Sequence, residues 1–372
     1  MAFDSGNSSF RIFYYKEKAG EEIVNVFAAA IAPEIKTLST SPISGWMSWR
    51  HLLDREITAE NCYFQPWLHL TLMQAERKVP KPLLRAYCRL EEEAERKARN
   101  LEILPRKLKA EIKQRVIDSL TPEMPPTLTG ISTVLNLSSN FVYSDGVKPS
   151  AVEAFAKAFK ETTNRGLALI TPESAALMLK QVNAQDLEPA VFSGDESVVK
   201  PEACNLGLEF LTWLWFAWET RSGGFTSHIG EKCEYMLEGP VTFFNEGRGA
   251  HNVVLSKGFP LQSREAGAAM LCGKKVSKVK FAVADAEKSW SATIDSSFAI
   301  RALKLPKDKQ GGKPTFQERM ELTDKFVTTF LHLYGLFLDE RKDAKTWKKT
   351  VGQMRDWIAR RATMEDGDIT EH

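Results

Sequence analysis

Between Arg96 and Arg115 the chain sets Arg96, Lys97, Arg99, Arg106, Lys107, Lys109, Lys113 and Arg115 against only Glu102 and Glu111. Guanidinium and ammonium groups gathered this way can hold a polyanion. Each one that reaches a phosphate releases condensed counterions, which gives affinity without reading bases. The whole chain of 372 residues carries 50 Lys and Arg against 48 Asp and Glu, a net charge of +2. Any binding of nucleic acid must therefore come from segregated charge, not from overall basicity. The competing reading is a solvated helical face, with the acids of Glu91–Glu95 pairing with some of these cations at i,i+4. A second basic group comprises Lys257 in a loop and Lys274, Lys275, Lys278 and Lys280 crowded on one strand. Strand alternation sets Lys274, Lys278 and Lys280 on one face, interrupted at Val276.

Other chemistries find less support. Gly311-Gly312-Lys313 lacks the loop length and the following Ser or Thr of a phosphate-binding loop. The six histidines (His51, His69, His228, His251, His332 and His372) show no metal-ligand spacing. A metal-dependent nuclease needs clustered carboxylates. Glu111 with Lys113, and Glu287-Lys288 after Asp285, lack a convincing acidic partner on a neighbouring strand. The five cysteines (Cys62, Cys88, Cys204, Cys233 and Cys272) are scattered with no C-x-x-C pair, as reduced cytoplasmic thiols would be. No cofactor or metal is expected. MAFDSGNSSF has no secretion-signal character, and the most apolar stretch, Leu206 to Trp218, holds Glu209 and is too short to span a bilayer. The expectation is a soluble protein with no membrane partner.

The elements that must position the cations follow from periodicity. Leu83, Tyr87, Leu90, Ala94 and Leu101 recur as an apolar helix face. Pro105 breaks the pattern, and Leu108, Ile112, Ile117 and Leu120 restart it as a second helix. Upstream, Phe10–Tyr15 reads as a strand, Glu21–Ile31 as a helix, Leu38–Trp49 as irregular, and Tyr63–Ala75 as a strand pair. Downstream of the Thr121–Pro126 breaker come a hairpin to Tyr143, a helix over Lys148–Thr162, a strand at Leu167–Ile170 and a capped helix from Thr171. Gly194–Glu202 is the best internal boundary. Leu206–Thr220 is aromatic enough to stack on bases, but Phe210, Trp213, Leu214 and Ala217 share a face and no Lys or Arg interrupts it, so it reads as core. Tyr235–Leu237, Val241–Phe244, Asn252–Ser256, Val276–Val283 and Trp290–Ile294 read as an antiparallel sheet. Leu305–Pro314 is a linker. Thr315–Leu338 is a helix whose Met320, Phe326, Phe330, Leu333 and Phe337 suit packing or a subunit interface. Arg341–Arg361 is a basic amphipathic helix, and the acidic last residues are expected to fray.

The order of three blocks resembles the recombination-associated RdgC family. They are Gly45-Trp46 with Leu70–Ala98 and Leu108–Pro125, then Leu255–Val283, then the helix FQERMELTDKFVTTFLHLYGLFLD. The resemblance covers nearly the whole chain and rests on the sum of the blocks. It implies an α+β fold of antiparallel sheets flanked by long helices, a multi-lobed subunit of a ring-shaped homodimer. It also implies binding of double-stranded DNA with little sequence preference, restraint of RecA-driven strand exchange, and a cytoplasmic, nucleoid-associated protein. Arg96, with Arg99 as fallback, and Lys257 match the family's basic positions. Where members carry a finger aromatic after the hydrophobic-Pro turn, this chain has Met124 or Pro125. The C-terminal helix extends past the family's usual end.

The expected organisation is an N-terminal α+β part over 1–200 with the basic helices at 81–120, a sheet-rich part over 201–310, and C-terminal helices over 315–372. Two alternatives remain at this point: a DNA exonuclease, which is how the family is often labelled, and a protein that binds the recombinase directly through its aromatic or C-terminal helices.

Overall fold

The computed structural model describes residues 3–246, 251–307 and 313–363. Half of the expected 305–314 linker, including Gly311-Gly312, and the acidic last residues lie outside the described residues. In chain order the elements are β1 (Ser8–Tyr14), α1 (Ile23–Ala29), β2 (Ile43–Ser48), α2 (Ala59–Cys62), β3 (Tyr63–Phe64), β4 (Trp67–Arg77), α3 (Lys81–Arg99), α4 (Arg106–Leu120), β5 (Pro126–Asn136), β6 (Phe141–Ser144), α5 (Pro149–Thr163), β7 (Ala168–Leu169) and α6 (Pro172–Lys180). They continue as α7 (Leu206–Arg221), β8 (Gly224–Thr226), β9 (Lys232–Phe244), β10 (Asn252–Leu255), α8 (Arg264–Leu271), β11 (Lys275–Ala284), β12 (Ser289–Asp295), β13 (Ile300–Lys304), α9 (Phe316–Lys342) and α10 (Ala344–Thr363). The fold is α+β, and its named strand pairs are antiparallel.

Two compact units divide the chain. One holds Met1–Glu17, Ser139–Val152 and Gly166–His372; the other holds Lys18–Ser138 and Glu153–Arg165. These units interleave in sequence and do not divide at 200 or 310. Gly194–Glu202 lies inside the first unit because the chain beside it is tied there. The Ser193 hydroxyl donates to the Leu271 carbonyl at 2.5 Å, and Phe192 packs edge-on against Trp347.

In the first unit the strands run β10-β9-β11-β12-β13-β1-β6, with β8 added to β9 and β7 to β1. Alternation buries Tyr235, Leu237, Phe243, Val279, Phe281, Val283 and Ile294. The aromatic stretch expected to be core is core: α7 buries an unbroken run from Leu206 to Ala217. Phe210 there meets Phe298, Phe330, Tyr334 and Phe337 at 5.0–5.9 Å between ring centroids. The α9 residues Met320, Phe326, Phe330, Leu333 and Phe337 are all buried within the chain, so they serve internal packing.

Two α7 carboxylates tie down the C-terminal helices. Glu209, fully buried, accepts from Arg341 at 2.7 Å and from the Ala190 N–H at 2.8 Å. Glu219 accepts from the indoles of Trp215 and Trp357 and from Arg361 at 2.6–2.8 Å. Removing either partner of the fully buried Glu209–Arg341 pair would leave a buried charge unmatched, at a cost of about 3–5 kcal/mol.

The second unit is built on β5-β4-β2 with β3 on β4. Leu38–Trp49, expected to be irregular, contains β2. Gly45 permits the strand: a Cβ there would sit 2.4 Å from the Ala32 backbone, while the Trp46 N–H and C=O bond Ala30 and Ala32. Trp46 is buried against Phe27 and Phe155, as a core plug should be. β4 pairs with β5 along its full length, Trp67 opposite Asn136 and Arg77 opposite Pro126. The segment joining those strands, α3 and α4, carries the first basic group.

His69, on β4, is fully buried, stacks on Trp49 at 5.5 Å and shares a 3.1 Å hydrogen bond with Ser132. Burial pushes its imidazole down to about 3. In the unfolded chain it protonates near pH 6.5. The contribution is thus complete above pH 6.5 and is lost as pH falls towards 3, on the order of 5 kcal/mol across that window. The urea midpoint of the wild type is expected to fall between pH 6.5 and 4 more steeply than that of His69→Gln. Identical slopes would contradict this assignment.

Candidate nucleic-acid interface

The α3–α4 hairpin forms for local reasons. Pro82 sits in the first turn of α3, where a missing N–H is harmless. At the other end Asn100, at φ +50, closes the helix: its N–H bonds the Lys97 carbonyl and the Leu101 N–H bonds the Arg96 carbonyl. Asparagine tolerates the left-handed conformation that this cap needs. Pro105 then precedes α4, whose Ile112, Val116 and Leu120 repeat every four residues and bury with Val79 and Leu104. Leu83, Leu84, Cys88, Leu108 and Met124 pack against that seam. At the base, Arg77 donates to the carbonyls of Met124 and Leu38. Met124 packs back on the seam.

The expected apolar face of α3 is not a core face. No residue of α3 is buried; Leu90 is 65% exposed, and Tyr87 and Leu101 are exposed beside it. The helix presents a different side to α4, the one carrying Leu84, Cys88, Glu91 and Glu95. Arg115 of α4 fixes that orientation by bonding Glu91 at 3.1 Å and Glu95 at 3.3 Å. The stripe through Tyr87, Leu90 and Leu101 is left in solvent, with Ile103 at 81% exposure after it.

The eight cations divide in the same way. Arg99 and Arg115 are taken up by Glu95 and Glu91, as the pairing reading expects. Hydrogen bonds from Arg99 and Arg115 hold the Glu95 carboxyl below the usual carboxylate range. Arg96, Lys97, Arg106, Lys107, Lys109 and Lys113 are exposed, and among the described residues none has a carboxylate partner. Arg85 and Arg89 of α3 are also exposed. They share a helical sector with Arg96, since residues four and eleven apart align on an α-helix. The run of Glu91–Glu93 hides this periodicity in the sequence.

The start of α4 is electrostatically unusual. Its first turn has no acid and no side-chain cap, and Pro105 offers only its backbone carbonyl, which accepts the Lys109 N–H. The first N–H groups of a helix lack internal partners and carry partial positive charge. Arg106, Lys107 and Lys109 add full positive charge to that end. The arrangement repels itself and attracts an anion such as phosphate.

The second basic group, in the other unit, is thinner than expected. Lys275 is only 3% exposed; its ammonium bonds Glu246 at 2.8 Å and lies over Phe192. It is therefore an internal residue and not a surface contact. Lys274 precedes the strand, with its N–H on the Ala269 carbonyl. Lys278 and Lys280 do share the open face of β11, opposite Thr242 and Glu238, and Lys280 pairs with Glu238. Register shifts on both sides of Lys278 break the simple alternation. They accompany a bond from the Val276 N–H to Thr212 of α7. Lys257 is exposed in its loop with φ +76. Lys257, Lys274 and Lys278 remain available.

Among the described residues no three His, Cys, Asp or Glu side chains gather as a metal site. Asp285 is engaged in a turn: it accepts from the N–H groups of Glu287 and Lys288 and from Lys325, each at 2.8 Å. Glu111 and Lys113 point to solvent from α4. The five cysteines are unpaired, and among the described residues no helix is long and apolar enough to cross a membrane. No family model and no curated protein matches this chain.

Replacing Lys107 and Lys109 by Glu puts acids beside the helix N-terminus and relieves the like-charge repulsion. The double variant is expected to be more stable than wild type by about 1 kcal/mol at low salt, read from urea unfolding. A less stable variant would show that the first turn of α4 is not electrostatically strained.

Proposed function

We propose that this protein binds double-stranded DNA through its phosphate backbone with little sequence preference, as a homodimeric clamp that coats DNA and restrains RecA-type strand exchange. The observation that carries the reading is the concentration of unpartnered, exposed cations on α3–α4 around an uncapped helix start with no acid in its first turn. A merely solvated helix gains by placing acids there. This one forgoes that stabilisation, which is consistent with selection for an anionic ligand. The lysines and arginines carry no base-edge geometry of their own, so they position a backbone and do not specify a sequence. Blocking a recombinase then follows from occupancy of the duplex. The resemblance to RdgC proteins points to the same activity.

The exposed stripe of Tyr87, Leu90 and Leu101 supports the homodimer. Exposed apolar side chains on α3 and just past its cap are a favourable surface to cover, at about 25 cal/mol per Å² removed from water. A second copy offers the same stripe, as a twofold interface requires.

Changing Lys107, Lys109 and Lys113 together to Glu is expected to weaken binding to a random-sequence duplex about 100-fold at low salt, equally for unrelated sequences. Leu90→Glu should shift sedimentation towards the monomer while leaving unfolding nearly unchanged. Undiminished duplex affinity in the triple variant would refute the DNA reading. An unchanged sedimentation coefficient in Leu90→Glu would remove the stripe from the dimer.

A further inference from the structure

One aromatic stands apart from the packed aromatics of the first unit. Phe259 is 77% exposed, although Phe is a residue that folding usually withdraws from water. Its backbone is held from both sides. Before it, β10 is paired with β9 through Leu255 opposite Val241. After it, Pro260 is buried against Gly239, where a Cβ would lie 2.6 Å from the proline ring. The Gln262 N–H closes the turn on the Phe259 carbonyl at 2.9 Å. Lys257 and Gly258, at φ +76 and +61, turn the chain so that Lys257 and Phe259 share the exposed tip. A lysine at positive φ is uncommon, and such strain is maintained where the surroundings enforce it. Lys278 belongs to the same neighbourhood: Val254 of β10 pairs with Thr242 of β9, which pairs with Lys278 of β11. That places Lys278 two strands, about 10 Å, from Val254.

From these features we infer that Phe259 is a base-stacking residue, inserted at a weak step of duplex DNA while Lys257 holds the adjacent phosphate. The inference rests on the DNA-binding reading above and adds the form of DNA preferred. A preorganised ring presented beside a cation has little conformational freedom to lose when it stacks, and a π-face accepts any base. Opening a paired step opposes insertion, and the opposition is least where a base is already unpaired. The loop therefore favours duplexes carrying a mismatch or a bulged base over perfect ones. A membrane surface also accepts a Phe beside a Lys, but stable anchoring needs a second apolar signal. The exposed positions beside Phe259 in the chain are Ser256, Gly258 and Gln262, and Val254 is exposed further back on β10.

The test compares two duplexes of about thirty base pairs, one perfect and one with a central unpaired base flanked by 2-aminopurine, with wild type, Phe259→Ala and Phe259→Tyr. Wild type is expected to bind the imperfect duplex about tenfold more tightly and to brighten the 2-aminopurine. Phe259→Ala should lose both effects yet keep its affinity and salt dependence on the perfect duplex, and Phe259→Tyr should retain both. Equal binding of the two duplexes by wild type with no brightening overturns the stacking role while the backbone-binding reading stands. The same preference and brightening in Phe259→Ala does so too. Failure of wild type to bind either duplex overturns both readings. Anionic phosphatidylserine vesicles form a last arm: cosedimentation lost in Phe259→Ala, with DNA behaviour unchanged, assigns the loop to membranes and overturns the proposal.

Discussion

Like charges repel, and the exposed cations of one helical hairpin, six of them between Arg96 and Lys113, can be held together only by what lies beneath them. Beneath α3 and α4 lies one seam: Val79, Leu104, Ile112, Val116 and Leu120, with Leu84 and Cys88 against it. Burying those side chains contributes roughly 1.5–3 kcal/mol each, enough to offset repulsion between charges that solvent and salt already screen. The ion pairs of Arg115 with Glu91 and Glu95 orient α3 over the seam. They are exposed and screened by solvent, and act more on geometry than on stability. Arg77 secures the base. Every feature proposed for DNA contact on this unit depends on that seam holding.

The same orientation explains the apolar stripe. Once Leu84, Cys88, Glu91 and Glu95 face α4, helical geometry turns Tyr87 and Leu90 away from it, and Leu101 is exposed just past the cap. One choice of packing side thus yields two functional surfaces, one cationic and one apolar. In the other unit the comparable decision is made by α7, whose buried Glu209 and partly exposed Glu219 receive Arg341 and Arg361. Those two arginines looked, in sequence, like part of a basic amphipathic tail. They are consumed internally, and the tail becomes a packed helix.

Local signals in the sequence located most elements. Pro105, the Thr171 cap, and the aromatic run of α7 each act within a few residues, and each appears where expected. What failed depended on partners distant in the chain. Gly45 reads as a breaker until Ala32 lies against it. Lys275 reads as surface charge until Glu246 reaches it from another strand. The α3 stripe reads as core because periodicity reports amphipathicity, not which side finds a partner. The interleaved units were hidden for the same reason, since β1 takes its neighbours β6 and β13 from far along the chain. For the site, residue types were legible and availability was not: the structure removes Arg99, Arg115, Lys275 and Lys280 from the free set and adds Arg85 and Arg89.

The most direct measurement is the affinity of the intact protein for a fluorescent random-sequence duplex of roughly thirty base pairs, without magnesium, across a salt series. Each phosphate neutralised on B-DNA contributes about −0.9 to the log–log slope. The account predicts tight binding at low salt, indifference to sequence, and a slope steeper than about −3. No binding at low salt, or binding with a slope near zero, would contradict it.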